Sequence, residues 1–147
     1  RADNTARILS VKQGRDESDD DAESDSDYYS LSAVLRSVSS LEAYRDTYRD
    51  TIEARRVAEL LIFNKDMPRS LQFCLNSVIK TLEKIANSHS GETERQAGML
   101  HSQLRYGRIE DILDHGLHEW LSDFMDRIYL LGNGISKDFL VPMVEAA

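Results

Sequence analysis

Apolar residues recur along this chain at spacings of three and four, and the strict alternation that marks strands is absent. The clearest run is Leu71, Cys74, Leu75, Val78, Ile79, Leu82 and Ile85, which predicts a helix over residues 68–86. Pro68 suits the first turn of that helix, because the N–H that proline lacks would be unpaired there anyway. A second run, Leu117, Leu121, Phe124, Ile128, Leu131 and Ile135, follows spacings of 4, 3, 4, 3 and 4. Such spacing is the a/d seam of a packed bundle helix, and Pro142 ends it.

Shorter stripes fill the rest. Ala2, Ala6 and Leu9, with Ile8 alongside, predict a helix over residues 1–12 that begins in mid-pattern without a methionine or a cap, so the chain reads as cut from something longer. Leu31, Val34, Leu35 and Val38 form one short face. Ser39-Ser40-Leu41-Glu42 then has capping-box spacing, which makes Ser39 the N-cap of a helix carrying Leu41, Tyr44 and Tyr48. Beyond a break near residues 50–53, Val57, Leu60 and Leu61 make another face. Ala97, Leu100 and Leu104 follow a polar break at residues 87–91 and stop at Tyr106-Gly107, where glycine serves as a C-cap; Ile109, Ile112 and Leu113 begin again. The fold expected is all-α, an antiparallel bundle of about five or six helices with short connections.

Charge changes the picture in one place. The formal net charge is −8, yet eight acids and no Lys or Arg lie between Asp16 and Asp27; without those eight, 18 acids face 18 bases. Like charges at that density repel, so residues 13–27 read as a flexible acidic linker joining a helix at 1–12 to a bundle domain at 28–147. A balanced remainder offers no basic face, and no nucleic-acid partner is expected. The longest apolar runs, at 60–63 and 128–131, are far short of the ~20 residues that span a bilayer, so no membrane is expected either. One cysteine, Cys74, excludes an intramolecular disulfide, and no signal-peptide pattern opens the chain, which favours a cytoplasmic protein.

Candidate chemistry is sparse. Arg69 and Ser70 follow Pro68, where a helix start favours an anion, and Arg36, Arg55 or Arg56 would add forked contacts to a carboxylate or phosphate. The competing use of these arginines is interhelical pairing with Glu42, Glu53, Glu59 or Asp66. Asp111, His115 and His118 stand at spacings of 4 and 3, but they complete no metal signature and Gly116 divides the histidines, so no metal site is expected. Cys74 lies on the apolar stripe with Leu71 and Val78 and reads as a buried structural cysteine. The acidic stretch lacks the glycine and terminal glutamate of an EF-hand. No catalytic residue and no cofactor is expected.

The segments RADNTARILSVK, LRSVSSLEAYR, RRVAELLI, MPRSLQFC and RYGRIEDILDHGLHEWL resemble the Alpha-E family of bacterial all-helical proteins, in family order. In that family a segment like the first follows a Glu-Arg pair, which sets Arg1 at the arginine and implies that this chain is similar to the second half of a longer protein. The acidic stretch is where it departs from the family. The resemblance implies genomic company with an ATP-grasp protein and a transglutaminase-like protease. The expected function is thus a non-catalytic helical interaction module, partner of an amide (peptide) ligase of ATP-grasp type or of that protease. The alternative is an enzyme of peptide or amide metabolism whose arginine-lined anion site is completed by an absent N-terminal half. A homodimer, or exchange of the first helix between copies, is the expected way to cover an otherwise exposed apolar stripe.

Overall fold

The computed structural model describes residues 1–16, 25–49 and 52–140. Eight α-helices follow one another within them: α1 (Ala2–Asp16), α2 (Asp25–Ser37), α3 (Leu41–Tyr48), α4 (Ala54–Phe63), α5 (Leu71–Ile85), α6 (Gly91–Arg105), α7 (Ile109–His115) and α8 (Leu117–Ile135). A π-helical turn, Ser136–Leu140, continues α8. There is no strand among the described residues, and the all-helical class is the one the periodicity predicts. The helices outnumber the five or six expected because two tight turns cut short pieces from longer ones. Gly116, at φ 106°, ends α7 after seven residues and starts α8. A left-handed turn at Ser39 separates α2 from α3.

That second turn corrects the expected cap. The Ser39 N–H reaches the Arg36 carbonyl at 3.0 Å and the Ser40 N–H reaches the Leu35 carbonyl at 2.7 Å, the paired bonds of a Schellman closure. Closure holds Ser39 at φ 55°, so Ser40 becomes the N-cap residue of α3, and its hydroxyl turns to the Val38 carbonyl instead of capping. The helix expected from Pro68 is corrected in the same way. Asn64 Oδ1 accepts the N–H groups of Asp66 and Met67, folding residues 64–70 into a turn, and Ser70 caps α5 by accepting the Phe73 N–H at 3.0 Å. Pro68 therefore lies ahead of the helix. Of the segment expected as a linker, residues 13–16 belong to α1 and 25–27 to α2; residues 17–24, like Pro142, lie outside the described residues.

The core gathers the predicted stripes. Leu71 and Leu75 of α5, Leu121 and Phe124 of α8, and Leu60, Leu61 and Ile62 of α4 are all buried, with Leu35 and Tyr44 from the preceding helices. Tyr44 also accepts the Glu53 N–H at 3.0 Å, tying α3 to the start of α4. Helix α1 packs most extensively on α8 and also meets α5 and α2. Its buried side is made of small residues, Thr5, Ala6 and Ser10, with Leu9 among them. At the other flank of α8, Gly134 lies so close to α6 that a β-carbon there would stand 2.7 Å from Thr93 Oγ1. Thr93, buried at that contact, donates its hydroxyl to Asp138.

Leu75 and Leu121 are each 0 % exposed. Leu121→Ala is expected to cost about 2–5 kcal/mol, the lost transfer energy plus that of the cavity left behind. Urea unfolding checks it: the midpoint should fall while the slope holds, and an unchanged midpoint would mean that the seam is not buried.

Candidate functional site

The arginines expected to meet at an anion site reach different partners. Arg55 pairs with Glu110 across from α4 to α7. Its neighbour Arg56 turns back to Glu53 at 3.6 Å and lies over the Tyr48 ring, 5.4 Å from its centre. Arg36 is exposed in the last turn of α2, where the helix dipole favours a cation. Ser70 is buried, and its hydroxyl is committed: it caps Phe73 and donates to the Asn64 carbonyl. Arg69 is exposed just before α5, held by its backbone, whose carbonyl accepts the Thr5 hydroxyl at 2.8 Å.

What that backbone bond does is fasten α1 to the start of α5, and a cleft of about 340 Å³ opens where these two meet α8. Its walls are apolar. Ala2 comes from α1, Phe73, Leu75 and Val78 from α5, and Ile128 and Ile135 from α8; Arg1 and Asp3 stand at one side. Asp3 is engaged by Arg7 at 2.8 Å. Cys74 also lines the cleft and is half-buried, with its thiol 3.7 Å from the Pro68 carbonyl, so it is more open than the buried structural cysteine expected. Burial pushes the thiol pKa up, against the positive charges of the Arg1 and Arg69 side chains.

Two further clefts lie elsewhere on the bundle. Between α6 and α8 a groove of about 500 Å³ is lined by Met99, Leu100, Leu130 and Leu131, with Glu92, Gln96 and Arg127 at its edge. Another, of about 400 Å³, joins Phe63, Leu104 and Ile109 to the charged Glu59, Lys65, Arg105 and Arg108. The residues weighed for metal separate: His118 shares a 2.9 Å hydrogen bond with Ser10, while His115 faces Asp123 at 3.9 Å. Among the described residues no three His, Cys, Asp or Glu side chains are placed to hold a metal ion. No helix among them is long and apolar enough to cross a membrane.

A family model described as "a predicted alpha-helical domain with a conserved ER motif", Alpha-E, matches residues 1–140. The chain belongs to the Alpha-E family. No curated protein and no solved structure matches it. The one adjacent Glu-Arg pair in this Alpha-E chain is Glu94-Arg95, on α6. There Arg95 reaches back to Glu92 at 3.2 Å and Glu94 accepts the Ser90 hydroxyl at 3.0 Å, so the pair faces different partners. Arg1, which the resemblance sets at the arginine of the family's pair, lines the α1/α5/α8 cleft instead.

Sequence reasoning did not single out the two apolar clefts, although a signal existed. Met99 lies off the Ala97, Leu100 and Leu104 stripe, and Leu130 lies beside the a/d seam, not on it. Exposed apolar residues that gather into one patch, rather than standing singly, mark a surface with another use.

The raised pKa of Cys74 has a checkable consequence. Only the thiolate reacts, so the rate of modification by a neutral maleimide should rise with pH to a midpoint above that of a free thiol. A midpoint at or below the free-thiol value would mean that the nearby positive charges outweigh burial.

Proposed function

We propose that the chain is an antiparallel helical bundle acting as a non-catalytic interaction module, the partner of an amide-forming ligase of ATP-grasp type. Membership in the Alpha-E family supports the reading, through the genomic company that the family resemblance implies. So does the course of α1 along α8: Arg1 and Ala2 share a cleft with Ile128 and Ile135, whereas Ser10 reaches His118 at the opposite end. The observation that carries the reading is the α6/α8 groove, where Met99 and Leu130 are 55 % and 66 % exposed. Leaving such side chains in water forgoes hydrophobic stabilisation that a docked protein recovers, and Met is enriched at protein interfaces. Arg127 and Glu92 supply the polar rim that gives orientation.

The test is binding to a purified amide-forming ligase of ATP-grasp type, the class of partner proposed. Leu130→Asp is expected to weaken the complex by about tenfold or more, with thermal stability held because Leu130 is exposed. Binding by the wild type that the Leu130→Asp variant retains in full would place the interface elsewhere, and no binding by the wild type would overturn the partner assignment.

A further inference from the structure

We propose that the cleft where α4 and α5 meet the α6–α7 turn binds a free acidic α-amino acid, with its ammonium on Glu59 and Gln72 and its carboxylates on Lys65, Arg105 and Arg108. This site is separate from the protein-docking groove and stands whether or not the ligase is the partner. Its apolar part comes from three helices. Phe63 of α4, Leu104 of α6 and Ile109 of α7 line a cleft of about 400 Å³, and Gly107 lies so close that a β-carbon there would stand 3.0 Å from the Phe63 ring. Two acceptors join them. Gln72 of α5, only 6 % exposed, donates its Nε2 to Asn76 Oδ1 at 3.2 Å, and its Oε1 receives no hydrogen bond. Among the described residues every enclosed side-chain oxygen or nitrogen has a partner, so the Gln72 oxygen is open, and the residue lines this cleft. Glu59 of α4, half-buried in the same lining, enters no ion pair among the described residues. A carboxylate and an amide oxygen without donors call for a cationic donor.

The cations of the lining complete the choice of ligand. Lys65, Arg105 and Arg108 meet no carboxylate among the described residues, and Glu110, the other acid of the lining, is taken by Arg55. Arg105 lies over the exposed Tyr106 ring, 5.3 Å from its centre, a contact that uses the guanidinium face and leaves its N–H groups without an acceptor. Three cations thus stand against one free carboxylate. A simple anion would leave Glu59 uncompensated beside it, and a simple amine would leave the cations so; a molecule with one ammonium and two carboxylates answers both. Forked contacts from the arginines fix its orientation, and its short aliphatic chain rests on Phe63, Leu104 and Ile109.

Calorimetry on the full chain tests this with L-glutamate as the probe. Glutarate keeps both carboxylates but lacks the ammonium, so it should bind about tenfold more weakly, the loss of one charge-assisted contact. Glu59→Gln should erase that difference: glutamate binding falls about tenfold, whereas glutarate, relieved of a like charge, holds or gains. Gln72→Met, which keeps the length of the side chain, should likewise weaken glutamate and spare glutarate. Lys65→Gln combined with Arg108→Gln should weaken both ligands, and the fold should hold because both side chains are exposed. No heat with L-glutamate up to millimolar concentration, or glutarate binding the wild type as tightly as glutamate, would overturn the proposal. So would a Glu59→Gln variant that weakens the two ligands equally, which would make Glu59 a support of the fold and not a partner of the ammonium.

Discussion

Small residues let α1 lie against α8, and the cleft opens where these two helices meet α5. Ala6 is 0 % exposed and Thr5 1 %, so the helix buries this narrow face and adds Leu9, with Ile8 partly buried beside it. Burying Thr5 and Ser10 would be costly if their hydroxyls were left without partners. Each hydroxyl instead fastens α1 at one end: Thr5 to the Arg69 carbonyl before α5, and Ser10 to His118 in the first turn of α8. Hydrophobic contact thus supplies the attraction, and two hydrogen bonds fix the register.

Register decides what the surface presents. With Ser10 at His118, the first turn of α1 falls beside Ile128 and Ile135, and Arg1 comes to the cleft that Cys74 lines. On its other flank α8 meets α6, where Gly134 admits Thr93 and leaves Met99 and Leu130 outside the packed seam. One long helix therefore carries an apolar face on either side, one with Arg1 and Asp3 beside it and one edged by Glu92 and Arg127.

Much of the fold was legible in the sequence, and the limits are physical. The stripes of α5 and α8 were plain because packing demands them at 3, 4 and 7, and Leu71, Leu75, Leu121 and Phe124 are buried as that periodicity requires. Caps were less legible, because neighbouring residues compete for them. Ser39 had the spacing of a capping box, but the Schellman closure of α2 claimed it, and Ser70 displaced Pro68 as the start of α5. Arginine partners were the least legible. Of the acids expected to pair with the cluster, Glu53 meets Arg56, whereas Arg55 finds Glu110, fifty-five positions away in the chain. The cleft itself joins residues 1, 74 and 135, a proximity that no local pattern encodes.

Hydrogen exchange along α1 tests most directly whether this helix is docked and holds the cleft together. The amides of residues 5–9 should exchange by the same cooperative opening as those of α5 and α8, with protection of the same order. Exchange across residues 5–9 at the rate of an unstructured peptide, with α5 and α8 still protected, would contradict it.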